Sequence, residues 1–412
     1  MSRCPQPSAA GRQGTANLLA LFLFLLLPTL ADAGANRWTS RGPDGGAFDA
    51  LVLDPSNAGT VYAGSVGIAE RSGSGVSLST DGGTTWASFN NGLTTTDVFV
   101  LTIGPVAPST LYAGTSAGVF KSREGRSWEA FNTDLTNTTV YALAVNPTAT
   151  DTVLAGTAAG VFVSHNGGKL WNDVSDVLAT TAVRALAFDP VNPTIVYAGT
   201  DAGVFKSTGG GGMWQAANKG LTNSKVSALL LDPANPAVLY VGTDTGTFKS
   251  NNSGASWNPA SGGLPLGRVA ALAMDRTNSN NLYAGVIDPA GGMGGVFKSI
   301  DAGMTWLPLD AHLDAAIYAL AIDPSTATSV YAGTALPSAG VFDIEQVGPI
   351  ACVGDCNGDH TVTVDELAAM AGVALGNAAA ASCVASDPNR DNRVTIDEIL
   401  TAVNKALQGC NQ

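Results

Sequence analysis

The stretch VYALAVNPTATDTVLAGTAAGVFVSHNGGKLW, Val140–Trp171, decides the fold. Its short apolar runs are separated by Pro, Asn, Thr and Gly, which are strand and turn signals, and no helical period runs through them. We label its strands a (YALAV), b (TVLAG) and c (GVFVS), and we expect a fourth strand, d, to begin at Trp171. Strand a is apolar on both faces, which predicts a buried inner strand, whereas strand c alternates, as expected nearer the rim.

Two signatures repeat along the chain with the same count. The first is tryptophan, with central spacings of 42 to 43 residues, at Trp38, Trp86, Trp128, Trp171, Trp214, Trp257 and Trp306. The second is the triplet YAG, or a near variant, at the end of a strand. Its first residue is Tyr62, Tyr112, Leu154, Tyr197, Tyr240, Tyr283 or Tyr331. This period is the length of a WD40-like propeller blade of four strands, so the sequence predicts an all-β, seven-bladed propeller.

The ends of the repeat region predict how the ring closes. After Tyr331 a strand c follows, but no tryptophan comes after it, whereas Trp38 belongs to a strand d that has no a, b or c before it. We therefore expect the N-terminal strand to complete the seventh blade, which removes exposed sheet edges and joins the two ends of the domain.

Residues 1–33 have the features of a signal peptide. Arg3 and Arg12 lie before an apolar run, Leu18–Leu27, and small residues precede Gly34. A run of this length is too short to span about 30 Å of hydrocarbon. We expect a secreted or extracytoplasmic protein without a membrane span.

Charge and cysteine placement divide the mature chain. The net charge is −13, and −14 once Arg3, Arg12 and Asp32 are removed, which argues against nucleic acid and anionic membranes as partners. All cysteines of the mature chain lie near its end and suggest two disulfides of open connectivity: Cys352, Cys356, Cys383 and Cys410. We place a propeller at 34–348 and a small module at 349–412.

The stretch STDGGTTW, Ser79–Trp86, resembles the Asp-box, S-x-D-x-G-x-T-W, also called the BNR repeat. It is found in sialidase-type propellers, two-propeller xyloglucan hydrolases, sortilin-type receptors and photosystem II assembly propellers. The box is complete again at Ser299–Trp306 and decays in the other blades. Because the box recurs at the c-to-d turns, we interpret it as a structural element and not as one active site. Asp81 accepts hydrogen bonds from the backbone N–H groups of its own turn, glycine permits positive φ, and tryptophan packs between blades. Seven ligand or metal sites are the alternative.

Ligands of propellers usually lie over the central channel, on the face of the d-to-a and b-to-c loops. Three b-to-c loops are long and belong to neighbouring blades of a closed ring: Ser65–Gly75, Val286–Gly295 and Thr334–Gly340. We expect them to form one raised lip that recognises a protein or polysaccharide ligand.

The carboxylates expected on this face are candidates for catalysis. A glycosidase needs two carboxylates about 5 to 10 Å apart. Ordinary loop solvation explains each candidate: Glu70, Asp244 and Asp288, besides Asp134 and Asp201. The arginine triad of sialidases has no counterpart motif, although Arg71, Arg184 and Arg268 lie near the face. We predict no catalytic residue, and a polysaccharide-active glycoside hydrolase stays the alternative.

Two acidic stretches in the module share the pattern of a calcium loop. They are DCNGDHTVTVDE, Asp355–Glu366, and DPNRDNRVTIDE, Asp387–Glu398. The oxygen ligands for two calcium ions would be Asp355, Asn357, Asp359, the Thr361 carbonyl, Glu366, Asp387, Asn389, Asp391, the Arg393 carbonyl and Glu398, with Thr363 and Thr395 at the water-bridged position.

Each loop is followed by a helical run, and no entering helix precedes the first. This arrangement resembles the dockerin module of cellulosomal proteins, which implies a cohesin-like partner. The module departs from dockerins at the Val364–Asp365 and Ile396–Asp397 pairs, which replace the hydroxyl pair that reads cohesin, so a purely stabilising cap is the alternative. We expect the two helices to pack through Leu367, Ala371 and Leu375 against Ile399, Val403 and Leu407. The sequence as a whole predicts a secreted, non-catalytic binding or scaffold protein.

Overall fold

The structure is a computed structural model. It describes residues 38–43, 46–57, 59–67, 72–105, 110–123, 127–288, 294–309, 313, 315–326, 328–335, 339–345, 362, 364–375, 394–395, 399–400, 402 and 403. The predicted signal peptide at 1–33 lies outside this part of the chain. No helix within these ranges is long and apolar enough to cross a membrane.

The described strands form seven antiparallel sheets of four strands each, as the repeat predicts. Blade 1 holds β2 (Ala47–Leu53), β3 (Val61–Val66), β4 (Val76–Ser79) and β5 (Ala87–Ser88). Blade 2 holds β6 (Val98–Ile103), β7 (Thr110–Thr115), β8 (Gly118–Arg123) and β9 (Trp128–Ala130). Blade 3 holds β10 (Val140–Val145), β11 (Val153–Thr157), β12 (Val161–Ser164) and β13 (Asn172–Asp173), followed by a 3₁₀ turn, Asp176–Leu178.

The other blades repeat this order. Blade 4 holds β14 (Val183–Phe188), β15 (Val196–Thr200), β16 (Gly203–Gly209) and β17 (Gly212–Ala216). Blade 5 holds β18 (Val226–Leu231), β19 (Leu239–Thr243), β20 (Gly246–Ser250) and β21 (Asn258–Pro259). Blade 6 holds β22 (Arg268–Met274), β23 (Leu282–Ile287), β24 (Gly295–Ser299) and β25 (Leu307–Pro308), and blade 7 holds β26 (Ile317–Ile322), β27 (Ser329–Thr334) and β28 (Gly340–Glu345).

The ring closes as the sequence predicts. The N-terminal strand β1 (Thr39–Gly42) pairs antiparallel with β28 and supplies the fourth strand of blade 7. Across this seam Arg41 Nε donates to Asp343 Oδ1 at 2.7 Å, and both side chains are largely buried. The seam therefore adds an ion pair to the backbone ladder.

Neighbouring blades meet at the glycine of each YAG signature. In all seven blades this glycine has no room for a Cβ atom, because the first or second residue of the next inner strand occupies that space with its side chain or its backbone. A Cβ on Gly199 would lie 2.7 Å from Val226 Cγ1, and one on Gly285 would lie 2.6 Å from Ile317 Cγ2. The glycine is thus required by the close approach of the next blade rather than by its own backbone angle.

The tyrosine of the signature holds the next blade at its c-to-d turn. Tyr197 Oη donates to the Ser253 carbonyl at 3.1 Å, and Lys206 Nζ donates to the same oxygen at 3.0 Å while lying over the tyrosine ring. Tyr240 and Lys249 make the same pair of contacts to the Ala302 carbonyl. Burial lowers the pKa of both lysines, so they gain from the ring face and the carbonyl what they lose in hydration.

The tryptophans lie between blades, as predicted. Five indole Nε1 atoms donate to a backbone carbonyl of the preceding blade at 2.7 to 3.1 Å, from Trp128, Trp171, Trp214, Trp257 and Trp306. Each large ring is thereby buried with its polar atom satisfied. The hydrophobic core is accordingly a series of clusters between adjacent blades.

In the described part of the C-terminal segment, helix α1 spans Val364–Ala374. Its residues Met370 and Val373 form a cluster with Val394 and Ala402, and Leu367 and Ile399 pack against it. Leu367 and Ile399, which the sequence predicts to face each other, both border this cluster. The expectation for Leu375 is wrong: it follows the end of α1 and is 76% exposed.

We expect Arg41→Ala to lower the free energy of unfolding by about 1 to 3 kcal/mol, because it removes the guanidinium that pairs with the largely buried Asp343 carboxylate. Urea denaturation followed by tryptophan fluorescence measures this loss. Lys225→Ala is the matched control, since its 3.8 Å pair with Asp244 is exposed and should contribute under about 0.5 kcal/mol. Equal losses in the two variants would contradict a role for the ion pair in closure.

Candidate functional site at the channel mouth

The Ser-x-Asp turns, which recur along the chain, stabilise their own backbone. Asp81 Oδ1 accepts from Thr85 N at 2.8 Å and from Ser79 Oγ at 2.8 Å, and Asp81 Oδ2 accepts from Thr85 Oγ1 at 2.6 Å. These hydrogen bonds lower the pKa of Asp81 to about 2. Asp301 repeats the same contacts in blade 6, and Asn166 repeats the backbone contact in blade 3. The geometry favours the architectural interpretation over seven ligand sites.

A different feature repeats seven times on the inner strands. Each strand a contains a β-bulge at its second or third residue, where the register with strand b shifts by one. The bulged residues are Asp49, Phe99, Tyr141, Arg184, Ser227, Ala270 and Tyr318. A bulge leaves one residue unpaired and redirects its side chain. We call these residues the bulge ring.

The bulge ring lines one end of the central channel. All seven of its residues, together with Arg268, surround a cavity of about 240 Å³. We call this cavity the channel mouth. It lies at the start of the inner strands, on the side of the d-to-a and b-to-c loops where the sequence predicts a ligand. The mouth thus combines three aromatic rings, two guanidinium groups and one carboxyl group.

One side of the mouth is rigid and paired. Arg184 donates to Asp201 through Nε at 2.5 Å and through Nη2 at 2.9 Å, and this bidentate pair holds the pKa of Asp201 below its usual value. The guanidinium of Arg184 lies 5.3 Å from the centre of the Tyr141 ring, and Phe99 meets that ring edge-on at 5.2 Å. These contacts fix the aromatic wall.

The other side of the mouth holds Asp49 and Arg268, which form no ion pair among the described residues. Asp49 Oδ1 is inaccessible to solvent and has no hydrogen-bond partner among the described residues. Burial raises the pKa of Asp49 to about 7, and the charge of Arg268 opposes this rise. Arg268 Nε donates to Ser227 Oγ at 2.9 Å. The structure records no ion pair between Asp49 and Arg268 in the described part of the chain. Arg268 therefore acts on the pKa of Asp49 through its charge and not through a hydrogen bond.

The opposite end of the channel is apolar. Its cavity of about 290 Å³ is lined mostly by aliphatic side chains of the inner strands, including Leu53, Leu230, Met274 and Ile322. Arg276 is the cation of this lining. The channel is therefore asymmetric: aliphatic side chains dominate this end, beside Arg276, Thr277 and Asp323, whereas aromatic rings and guanidinium groups line the mouth.

The candidate carboxylates from the sequence do not gather in the mouth. Asp244 lies at its rim in a 3.8 Å pair with Lys225. Asp288 is half-buried just after β23, and Asp134 is exposed with a φ of 62°. Glu70 and Arg71 lie outside the described residues, as does much of the predicted lip at 68–71, 289–293 and 336–338.

Most of the predicted calcium ligands also lie outside the described residues: Asp355, Asn357, Asp359, Thr361, Asp387, Asn389, Asp391, Arg393 and Glu398. The same holds for Thr363 and for the four cysteines of the module. Glu366 is described, at the third position of α1, and it is 7% exposed. Two calcium ions thus stay a prediction.

Sequence reasoning missed Asp49, Phe99, Tyr141 and Tyr318. The available signal was positional: one inner-strand position, just after the first apolar residue of strand a, varies from Asp to Tyr to Arg while its neighbours stay apolar or small. Reading strand a as apolar on both faces hid this position, because a bulge breaks the alternation on which that reading rests.

No family model matches the chain, and no curated protein matches it. Solved structures do. The GH74 xyloglucanase from Xanthomonas campestris is 19% identical, with 74% of this chain and 53% of that one covered at a TM-score of 0.60. The extracellular domain of a putative hybrid two-component system from B. thetaiotaomicron is 17% identical, with coverages of 78% and 42% and a TM-score of 0.60.

A third similar structure is YCF48 from Cyanidioschyzon merolae, 14% identical, with 75% of this chain and 98% of that one covered at a TM-score of 0.54. The chain spans about half the length of the GH74 structures it matches. At these identities the likeness shows the fold alone. The fold class is therefore a seven-bladed β-propeller of four-stranded blades, shared with enzymes and with an extracellular domain of a two-component system.

We expect Asp49→Asn to stabilise the protein at pH 8 by about 2 to 4 kcal/mol and to have little effect at pH 4. An acid whose folded pKa is near 7 and whose unfolded pKa is near 4 costs stability as pH rises between these values, and the full cost is present above pH 7. Asparagine cannot ionise. Urea midpoints across this range measure the difference, with Asp244→Asn as a partly exposed control. A pH-independent effect of Asp49→Asn would contradict the assignment.

Proposed function

We propose that the chain is a secreted, non-catalytic binding protein whose propeller takes a polysaccharide ligand in the channel mouth. The C-terminal segment would be a dockerin-like, calcium-binding module. One observation carries the proposal: seven equivalent bulges direct seven side chains of differing chemistry into one cavity. If these positions had only a structural role, one residue type could occupy all seven of them. A concave site with aromatic walls and a few polar groups is the usual form of a ligand site.

The carboxylates of the mouth favour binding over hydrolysis. Asp49 is the one carboxyl group among the residues that line the described cavity. Asp201, nearby, has both oxygens occupied by Arg184. Acid–base hydrolysis of a glycosidic bond needs two carboxylates in reach of the same bond. This arrangement supports a non-catalytic role.

One observation favours a second candidate, a glycoside hydrolase. A carboxyl group with a pKa of about 7 suits a general acid at neutral pH, and Asp49 is such a group. The second carboxylate would come from Asp244, Asp288 or Glu70. Release of reducing ends from xyloglucan or another polysaccharide, lost in Asp49→Asn, would establish this function in place of the first.

We expect the protein to be retarded in gels containing a polysaccharide ligand, and we expect Tyr141→Ala and Tyr318→Ala to weaken this binding at least tenfold. Both changes remove an aromatic wall of the mouth. Affinity electrophoresis against a panel of soluble polysaccharides measures the effect, and circular dichroism checks the fold. Met213→Ala, 77% exposed on an outer strand, is the control. Binding that survives both tyrosine changes would place the ligand elsewhere.

Calcium is proposed from the two loops of the module and from the position of Glu366. A glutamate at loop position 12 contributes both carboxylate oxygens and begins the exiting helix, and Glu366 lies in the first turn of α1. Acidic side chains at this end of a helix are also favoured by its dipole.

We expect calorimetric titration of the full mature chain to detect two calcium sites. Glu366→Gln together with Glu398→Gln should abolish both, since each loop would lose its bidentate ligand. Glu129→Gln, exposed on β9, is the control. Two sites that persist in the double variant would contradict the predicted ligand sets, and no heat in the wild type would leave the loops as acidic turns.

Secretion is proposed from residues 1–33. The extracellular context of one structural neighbour is consistent with it. The cysteine-containing module would also require an oxidising compartment to form disulfides.

A further inference from the structure

Two polar side chains of the mouth carry atoms without a partner among the described residues, and these atoms are of complementary kinds. Asp49 Oδ1 is buried and accepts no hydrogen bond in the described structure. Arg268 uses Nε for Ser227, while its two Nη atoms have no partner among the described residues. A buried carboxyl oxygen without a hydrogen bond destabilises the folded protein. A cost of this kind is common where a ligand supplies the missing partner.

The two arginines of the mouth differ in availability. Arg184 is neutralised by Asp201 through two parallel hydrogen bonds. Arg268 has no carboxylate within ion-pair distance in the described chain. The mouth therefore offers one guanidinium edge to an incoming group. A planar guanidinium edge fits a carboxylate in a bidentate manner.

We propose that the channel mouth binds a single sugar-acid residue, a hexuronate, with its carboxylate on Arg268 and a ring hydroxyl on Asp49. The apolar face of the sugar ring packs against the aromatic side chains. This proposal rests on the function proposed above and names its ligand class.

Size and geometry select this ligand. A cavity of about 240 Å³ is below the usual range of drug-sized sites and suits one sugar ring rather than a folded partner. Phe99, Tyr141 and Tyr318 provide aromatic side chains, and Phe99 and Tyr318 belong to the two blades that flank the blade of Asp49. A hexuronate carries a carboxylate and several hydroxyls on one rigid ring, so it can satisfy Arg268 and Asp49 together. A neutral sugar leaves the Arg268 edge without a carboxylate.

Charge limits the ligand to an isolated acidic residue. The chain has a net charge of −13, which repels a long polyanion. Repulsion from surface charges is largely screened beyond about 8 Å at physiological salt, so a single carboxylate experiences mainly the groups of the mouth. A uronate at a chain end, or as a side branch on a neutral polymer, fits this balance.

The same groups predict a pH dependence. Arg268 is the charged group that acts on Asp49, Tyr318 of β26 and Phe99 of β6 line the mouth beside it, and Arg184 is balanced by Asp201. With Asp49 protonated the mouth carries one net positive charge; with Asp49 ionised it carries none. Binding of a uronate, which is ionised throughout, should therefore tighten as pH falls from 8 to 6.

Saturation-transfer NMR on the full mature chain tests the proposal with four probes: methyl glucuronide, methyl galacturonide, methyl glucoside and the methyl ester of the glucuronide. We expect the two acids to bind at least tenfold more tightly than the neutral probes at pH 6. Arg268→Gln should remove this preference. Arg276→Gln removes the same charge at the opposite end of the channel and should retain it. Asp49→Asn should flatten the pH dependence.

The outcomes separate the two proposals. Neutral and acidic probes that bind equally, with sensitivity to Tyr141→Ala, would overturn the acidic ligand and leave the saccharide-binding function standing. Acetylglycine that binds as tightly as the uronides would overturn the requirement for a sugar ring. Saccharides that bind independently of every mouth variant would overturn both proposals.

Discussion

The close approach of each inner strand to the preceding blade is the constraint on which the rest of the structure depends. Seven glycines give the first or second residue of the next strand a the space that a Cβ would fill. In blades 2, 4 and 5 the tyrosine two residues earlier reaches the c-to-d turn of the next blade, and a lysine on strand c joins it there. Blade 7 applies the rule across the chain ends, where Tyr331 donates to the Gly82 carbonyl.

This packing also creates the site. The residue that packs against the glycine has a fixed position. A β-bulge at the next residue then turns strand a toward the channel. The bulged residue is left out of the pairing with strand b, so its side chain can differ between blades. A structural rule repeated seven times thus yields seven positions at which sequence can vary at little cost to the core. The channel mouth is the sum of those positions.

Asp49 and Asp81 illustrate the two uses of a carboxylate in this fold. Asp81 has hydrogen-bond donors on both oxygens, and its pKa is lowered to about 2 because the ionised form is the one its turn stabilises. Asp49 has no such donors among the residues that the structure describes, and burial raises its pKa to about 7. The first stabilises the folded protein at neutral pH, whereas the second destabilises it. Only the second is arranged as a ligand site would be.

The sequence by itself determined the blade count, the four strands of each blade, the closure by Trp38 and β1, and the role of the Ser-x-Asp turns, because these follow from local periods and turn chemistry. Helix α1 was also predictable, although Leu375, which the sequence predicts to be packed, is exposed. Only the tertiary structure brought Asp49, Arg184, Arg268 and Tyr318 together. These residues are up to 269 positions apart in sequence. The β-bulges that turn Asp49, Arg184 and Tyr318 into the channel leave no periodic signal in the sequence.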